Sequence, residues 1–472
     1  MKRLQLYVVF IFLIASSQVA AQETGWTIIP LNNFDAFNAP GKNWSIGSNA
    51  IADYTKPGDM KALAGQGTAV NIIGEKDNSP LTTKQEFGDV ELELDFMMAK
   101  NSNSGVYLQG RYEVQLFDSW TKLKPTFADC GGIYQRWNDA LATDDKGYEG
   151  TAPIMNVAKA PGLWQHLIIK FRAPKFDAAG NKTANARFEE VYLNGVLIQQ
   201  QATVTGPTRA SLFNDEKPTG PIMLQGDHGN VAFKNIRYHL SVDAAKINQD
   251  GFDNPITINP DNRPYILRGF LNYGDKKLTH SLSVGSPSQM HFSYDLKEGA
   301  LLQVWRGQFL DVTEMWHERG EPQLQKPLGS VIRFSDAPAL AVLTDANAMW
   351  PDSVAFDDFH NKGYSLDSSH FPTFKYNYNG INVSDKIYPQ SNRQSLIREL
   401  KVAEPSSNLY CRIATAESIE TLSAGLFNIN NGEYYLTVNE SLKPVIRTTA
   451  KGKELVVLYP ASATSLTYSI TW

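Results

Sequence analysis

The residues Val90-Glu91-Leu92-Glu93-Leu94-Asp95-Phe96-Met97 alternate between apolar and acidic positions. Successive side chains in a strand point to opposite faces, so this pattern predicts a half-buried strand with its carboxylates on the outer face. Residues 167–171 and 231–236 repeat the alternation less cleanly. Gly, Pro, Asn and Asp clusters punctuate these runs at short spacing, and no long helical periodicity follows the first twenty residues. Many short strands with turn signals predict an all-β sandwich. No internal repeat and no low-complexity tract interrupts it. Asp250, Asp253, Asn254, Pro255, Asn259, Pro260, Asp261, Asn262 and Pro264 crowd one stretch, which reads as a linker over 246–263. Strand patterns resume at 265–270 and 301–306. The reading is therefore a first domain over 22–245 and a second β-rich domain over 264–472.

One short segment carries chemistry as well as pattern. Asn103-Ser104-Gly105-Val106-Tyr107-Leu108-Gln109-Gly110-Arg111-Tyr112-Glu113-Val114-Gln115-Leu116 reads as two strands around a tight turn at Gly110-Arg111. Glu113 and Gln115 then share one face, and Tyr112, Val114 and Leu116 share the other. A carboxylate and an amide project side by side from a strand whose reverse is apolar. A second segment, Gly220-Pro221-Ile222-Met223-Leu224-Gln225-Gly226-Asp227-His228-Gly229-Asn230, precedes the strand pattern Val231-Ala232-Phe233-Lys234-Asn235-Ile236.

Together these segments resemble the 3-keto-disaccharide hydrolase family. Its pattern is N-S-G-hydrophobic-aromatic, then Y-E-hydrophobic-Q, and late in the domain a G-P-hydrophobic-x-L-Q-x-H-G run before F-x-N-I. Between them come Gly132-Ile133-Tyr134, Pro161-Gly162-Leu163-Trp164-Gln165, Phe171-Arg172-Ala173-Pro174-Lys175-Phe176-Asp177 and Leu193-Asn194-Gly195-Val196. The resemblance runs from about Gly25 to Leu240. It departs from the family in one place, where Gly226 is inserted between Gln225 and Asp227. The resemblance implies a concanavalin-like jelly roll and cleavage of the glycosidic bond in 3-keto-glycosides. It also implies that a separate sugar 3-dehydrogenase makes the substrate.

That substrate changes what the residues must supply. An ordinary glycosidase needs two carboxylates flanking the bond, and this hairpin offers one. Glu91, Glu93 and Asp95 could add an acid only if their face lined the same cleft; a solvated face is the simpler reading. A ketone at C3 acidifies the hydrogen at C2, so one base, one stabiliser for the enolate oxygen and one proton donor suffice. Glu113, His228, Gln115 and Tyr134 are the catalytic candidates. Tyr107, Gln109, Trp137, Gln225 and Asp227 are the candidates for substrate binding. A divalent metal is compatible with the ligand chemistry of Glu113, His228 and either Asp227 or Asp118, and would stabilise the enolate as a Lewis acid. Aromatic residues suited to stacking on sugars include Trp120 and Trp137, both in polar loop sequence that suggests exposure. The rival class is a non-catalytic lectin-like binding protein. A third class, a polysaccharide lyase, prefers a basic cleft.

Bulk properties narrow the setting. Lys2 and Arg3, the apolar run from Leu6 to Ala15 and the small residues Val19-Ala20-Ala21 read as a secretory signal peptide over 1–21. The expected product is periplasmic or secreted, with no membrane anchor. The net charge of −5, with no basic run, argues against nucleic acid as a partner. Cys130 and Cys411 are too few for a disulfide framework and read as buried thiols. No nucleophile elbow, phosphate loop, dinucleotide fingerprint, CxxC pair or haem attachment motif occurs. The expected partner is an oligosaccharide or glycoside substrate.

Overall fold

The computed structural model describes residues 25–240, 242, 255–317, 323–460 and 465–472. The proposed signal peptide and the first half of the proposed linker, residues 246–254, lie outside the described residues. What is described is almost entirely strand; the one α-helix among these residues is the five-residue Thr313–His317.

The first half is a sandwich of two antiparallel sheets. One sheet runs, in spatial order, Val196–Val204, Ala186–Leu193, Gln165–Arg172, Val90–Met98, Val231–His239, Lys61–Asn71 and Trp44–Ile51, with Thr27–Ile28 also paired to Val231–His239. The other runs Leu81–Phe87, Gly220–Leu224, Asn103–Leu108 and Tyr112–Phe117. The alternation in the sequence is the packing: Val90, Leu92, Leu94 and Phe96 are fully buried against Val106, Leu108, Val114 and Leu116 of the opposing sheet. Burying each such side chain contributes about 1.5–3 kcal/mol. Glu93 and Asp95 face outward, where Arg237 holds the first and His166 the second. They belong to the outer face of the larger sheet and take no part in the cleft described below.

Turn geometry follows residue chemistry. Asn194 and Gly195 both take positive φ, 52° and 80°, as the primed two-residue hairpin turn requires. The hairpin after Leu108 corrects the expected register. Its central residues are Gln109 and Gly110, at φ 57° and 64°, with Arg111 N–H donating to the Leu108 carbonyl at 3.0 Å. Gly110 is therefore the second central residue and not the first, and Leu108 pairs with Tyr112.

The second half contains three sheets. Six strands from Thr257–Ile258 to Lys326–Arg333 form one, eight strands running spatially from Phe359–Leu366 to Ile419–Ser423 form another, and four strands around Leu409–Ala416 form the third. Thr257–Ile258 pairs with Leu310–Asp311, so the end of the stretch read as linker is strand. The two halves share packed surface. Tyr435 stacks on Tyr54, with ring centroids 5.0 Å apart, and its hydroxyl donates to the Pro161 carbonyl at 3.2 Å. Trp164 N–H donates to the Gly432 carbonyl at 3.1 Å. The Arg306 guanidinium lies between the rings of Trp120 and Trp472, 5.0 and 4.9 Å from their centroids. Trp120 is thus buried at this junction and is not the exposed loop residue its sequence context suggests. The Pro161-Gly162-Leu163-Trp164 motif also serves the junction. Cys130 and Cys411 are both buried free thiols. Among the described residues no helix is long and apolar enough to cross a membrane.

Candidate active site

The outward face of the smaller sheet carries an open pocket of about 250 Å³. Cross-strand pairing sets Tyr107 directly opposite Glu113, and Gly105 opposite Gln115. Gly105 is needed here because a Cβ would collide with the Glu113 carboxylate. The segment Gly131–Tyr134 then extends the sheet past Tyr112–Phe117. Gln115 N–H donates to the Gly132 carbonyl at 2.8 Å, and Tyr134 N–H donates to the Glu113 carbonyl at 3.2 Å. These bonds bring Tyr134 to the pocket wall, where its ring packs edge-on against Phe127.

Glu113 is almost wholly buried. Its loss of water raises the carboxyl to about 8, against the counter-pull of the Tyr107 hydroxyl and with a further push from the Asp227 charge. Burial and the Glu113 charge in turn drive the Tyr107 phenol far up. With its amide assigned so that nitrogen faces acceptors, Gln115 donates to Glu113 Oε1 at 2.9 Å and to the Ser104 carbonyl at 3.0 Å.

The loop after Gly220–Leu224 forms the opposite rim. Ser104 Oγ donates to the Gln225 carbonyl at 2.9 Å, and Gln225 N–H donates to the Gly105 carbonyl at 2.9 Å. The inserted Gly226 is tied down: its carbonyl accepts from Asn43 Nδ2 at 3.0 Å, and a Cβ would press on the Ser79 carbonyl and the Trp44 ring. Asn71 Nδ2 holds the Gly229 carbonyl at 2.7 Å. His228 is therefore delivered to the pocket by an anchored loop. Its Nδ1 lies 2.7 Å from Asp227 Oδ1 and 3.3 Å from Gln225 Nε2. This leaves Nε2 free to face a substrate. Gln225 Oε1 is buried with no protein partner, an acceptor open to a ligand hydroxyl.

All four catalytic candidates, Glu113, His228, Gln115 and Tyr134, line this one pocket, as do Tyr107 and Gln225. Asp227 reaches it through His228. Gln109 does not: as a turn residue it is buried, and its amide donates to the carbonyls of Phe87 and Pro218. Trp137 does not line it either, but Arg209, which does, stacks on the Trp137 ring at 3.9 Å. Arg209, Ala210 and Asn103 are the lining residues the sequence reading missed. Arg209 sits on a loop held to the hairpin by Thr208 N–H on the Arg111 carbonyl at 2.9 Å and by Arg111 on Asp215 at 2.7 Å. Its signal in the sequence would have been a lone arginine in a Gly-Pro-Thr-Arg turn.

A metal does not fit the arrangement. Among the described residues no three His, Cys, Asp or Glu side chains converge as a ligand set. Asp118 is turned away and accepts from the Asn101 N–H at 2.7 Å.

Residues 32–239 match the model of the 3-keto-alpha-glucoside-1,2-lyase-like domain. No curated protein matches the chain. Among solved structures, a candidate glycosyl hydrolase from Parabacteroides distasonis is similar at 22% identity over 45% of this chain and 84% of that one, with a TM-score of 0.31. A second from the same organism shows 22% identity over 46% and 99%, with a TM-score of 0.30. LamAcat from Zobellia galactanivorans shows 12% identity over 46% and 90%, with a TM-score of 0.21. Residues 32–239 are therefore the part of the chain that matches the 3-keto-alpha-glucoside-1,2-lyase-like domain family, whose fold is concanavalin-like, and the match supports a carbohydrate-active function.

Proposed function

We propose that the protein cleaves the glycosidic bond of 3-keto-glycosides by elimination followed by hydration, after export from the cytoplasm. The observation that carries this reading is one buried carboxyl raised to about 8 facing a histidine–carboxylate pair across a sugar-sized pocket. That is one acid and one base, not the two flanking carboxylates of ordinary glycoside hydrolysis.

His228 Nε2 removes the proton from C2, and the electron pair moves into an enolate on the C3 oxygen. Asp227 steadies the imidazolium through Nδ1. Arg209, the permanent cation of the pocket lining, together with the Tyr134 hydroxyl, stabilises the enolate oxygen. The enolate collapses, the C1–O bond breaks, and the leaving alkoxide takes the Glu113 proton. Water then adds at C1 and gives its proton to the Glu113 carboxylate, while the His228 imidazolium, its proton exchanged with solvent, protonates C2. The sum is hydrolysis with no net redox change. A separate sugar 3-dehydrogenase supplies the ketone.

The test compares a 3-keto-glucoside with its unoxidised parent. Cleavage of the keto form alone supports the reading. Tight binding of either sugar without turnover would replace it with a lectin-like role.

A further inference from the structure

The second half holds a pocket of about 540 Å³, larger than the one around Glu113. It opens between the strand pair Tyr265–Tyr273 and Lys276–Gly285 of one sheet and the strand Phe359–Leu366 of another. Arg268 pairs in register with Leu282, and His280 is two residues before Leu282. All three therefore share the sheet face that looks into the pocket. Leu282 is buried and gives an apolar floor, while Arg268 and His280 are exposed at its edge.

The facing wall is shaped by a bulge. Lys362 and Gly363 together oppose one residue of the neighbouring strand, between the pairs Asn361–Tyr376 and Tyr364–Phe374. Asn361 holds the bulge from both ends: its Oδ1 accepts from Gly363 N–H at 2.6 Å, and its Nδ2 donates to the Leu296 carbonyl at 2.8 Å. A bulge of this kind re-aims a side chain, and here the side chain is Tyr364. Its ring is braced edge-on by Phe374, centroids 6.1 Å apart, yet remains 45% exposed. Arg268 makes no ion pair with any described residue.

A fixed aromatic face over an apolar floor suits the C–H face of a sugar ring. An unpaired guanidinium beside it suits a carboxylate or sulfate, which it can grip with two parallel hydrogen bonds. The chain as a whole carries −5, so no general basic surface would draw an anion here; the local cation must do it. We propose that this pocket binds an anionic sugar residue, with its ring on Tyr364 and its charged group on Arg268. The proposal is independent of the chemistry at Glu113.

Calorimetry on the full chain tests it with three probes: a tetrasaccharide of galacturonate, a sulfated galactan tetrasaccharide, and neutral cellotetraose. At least one anionic probe should bind about tenfold or more tighter than the neutral one, as expected for a charged hydrogen bond. The tighter of the two anionic probes identifies the anion. Arg268→Gln and Tyr364→Ala should each weaken binding by about tenfold. Tyr364→Phe should retain it, which separates loss of the ring face from loss of the fold. Glu113→Gln should bind as the parent does. Failure of both anionic probes, unchanged binding in Arg268→Gln and Tyr364→Ala, or loss in Glu113→Gln would overturn the proposal.

Discussion

Glu113 acquires its properties from position alone. Two hydrogen-bonding neighbours, Tyr107 and Gln115, favour its charged form, but burial outweighs them and lifts the carboxyl from 4.5 to about 8. The sign of the consequence is fixed. Between those two values the folded chain holds a proton that the unfolded chain has released, so folding stability falls as pH rises through this window. Glu113→Gln has no proton to lose. Its stability relative to the parent should be flat below about pH 4.5, rise between there and about pH 8, and level off about 5 kcal/mol higher, the linkage equivalent of that shift; thermal melts at stepped pH read this directly. Catalysis that needs the protonated acid should fall above about pH 8, and a rate profile showing no alkaline limb would remove Glu113 from the donor role. His228→Ala should cost about two to four powers of ten in rate with circular dichroism unchanged, since the side chain is half exposed and packs into no core.

At the scale of elements, the site is a hairpin, an extra edge segment and two loops. The hairpin was legible because period-two alternation puts Glu113 and Gln115 on one face whatever the turn. The turn itself was not, because Gly110 suits either central position, and the choice decides whether Gln109 ends a strand or caps a turn. It caps the turn, and its amide is spent on the carbonyls of Phe87 and Pro218. Arg209 was illegible for a different reason: its loop reaches the pocket through contacts with Arg111 and Gln135 far away in sequence. Trp120 looked exposed because its neighbours are polar, whereas Arg306 of the second half covers it. Gly105 was legible as part of a pattern but not as a cradle. Gly105→Ala should displace the Glu113 carboxylate, and misplacing a reacting group by about 1 Å can cost about a hundredfold in rate. Steady-state kinetics at an unchanged melting profile would show it; normal kcat/KM would mean the carboxylate can yield without loss.

The whole molecule is two β assemblies with a shared seam, and the seam changes what separation should do. A fragment spanning 22–248 keeps both sheets of the first core and is expected to fold with a cooperative melt. It also bares Tyr54, Trp120 and Trp164, which the second half covers through Tyr435, Arg306 and Gly432. The fragment should therefore melt below the full chain, and an equal melting temperature would show that the seam adds nothing. The central claim concerns the bond-breaking route. Elimination requires that the C2 hydrogen leave as a proton, and direct displacement at C1 does not. Turnover of a 3-keto-glucoside in deuterium oxide, followed by mass spectrometry of the released sugar, distinguishes them. The account predicts one deuterium at C2 in the product of the parent enzyme; cleavage with the C2 hydrogen retained would contradict it.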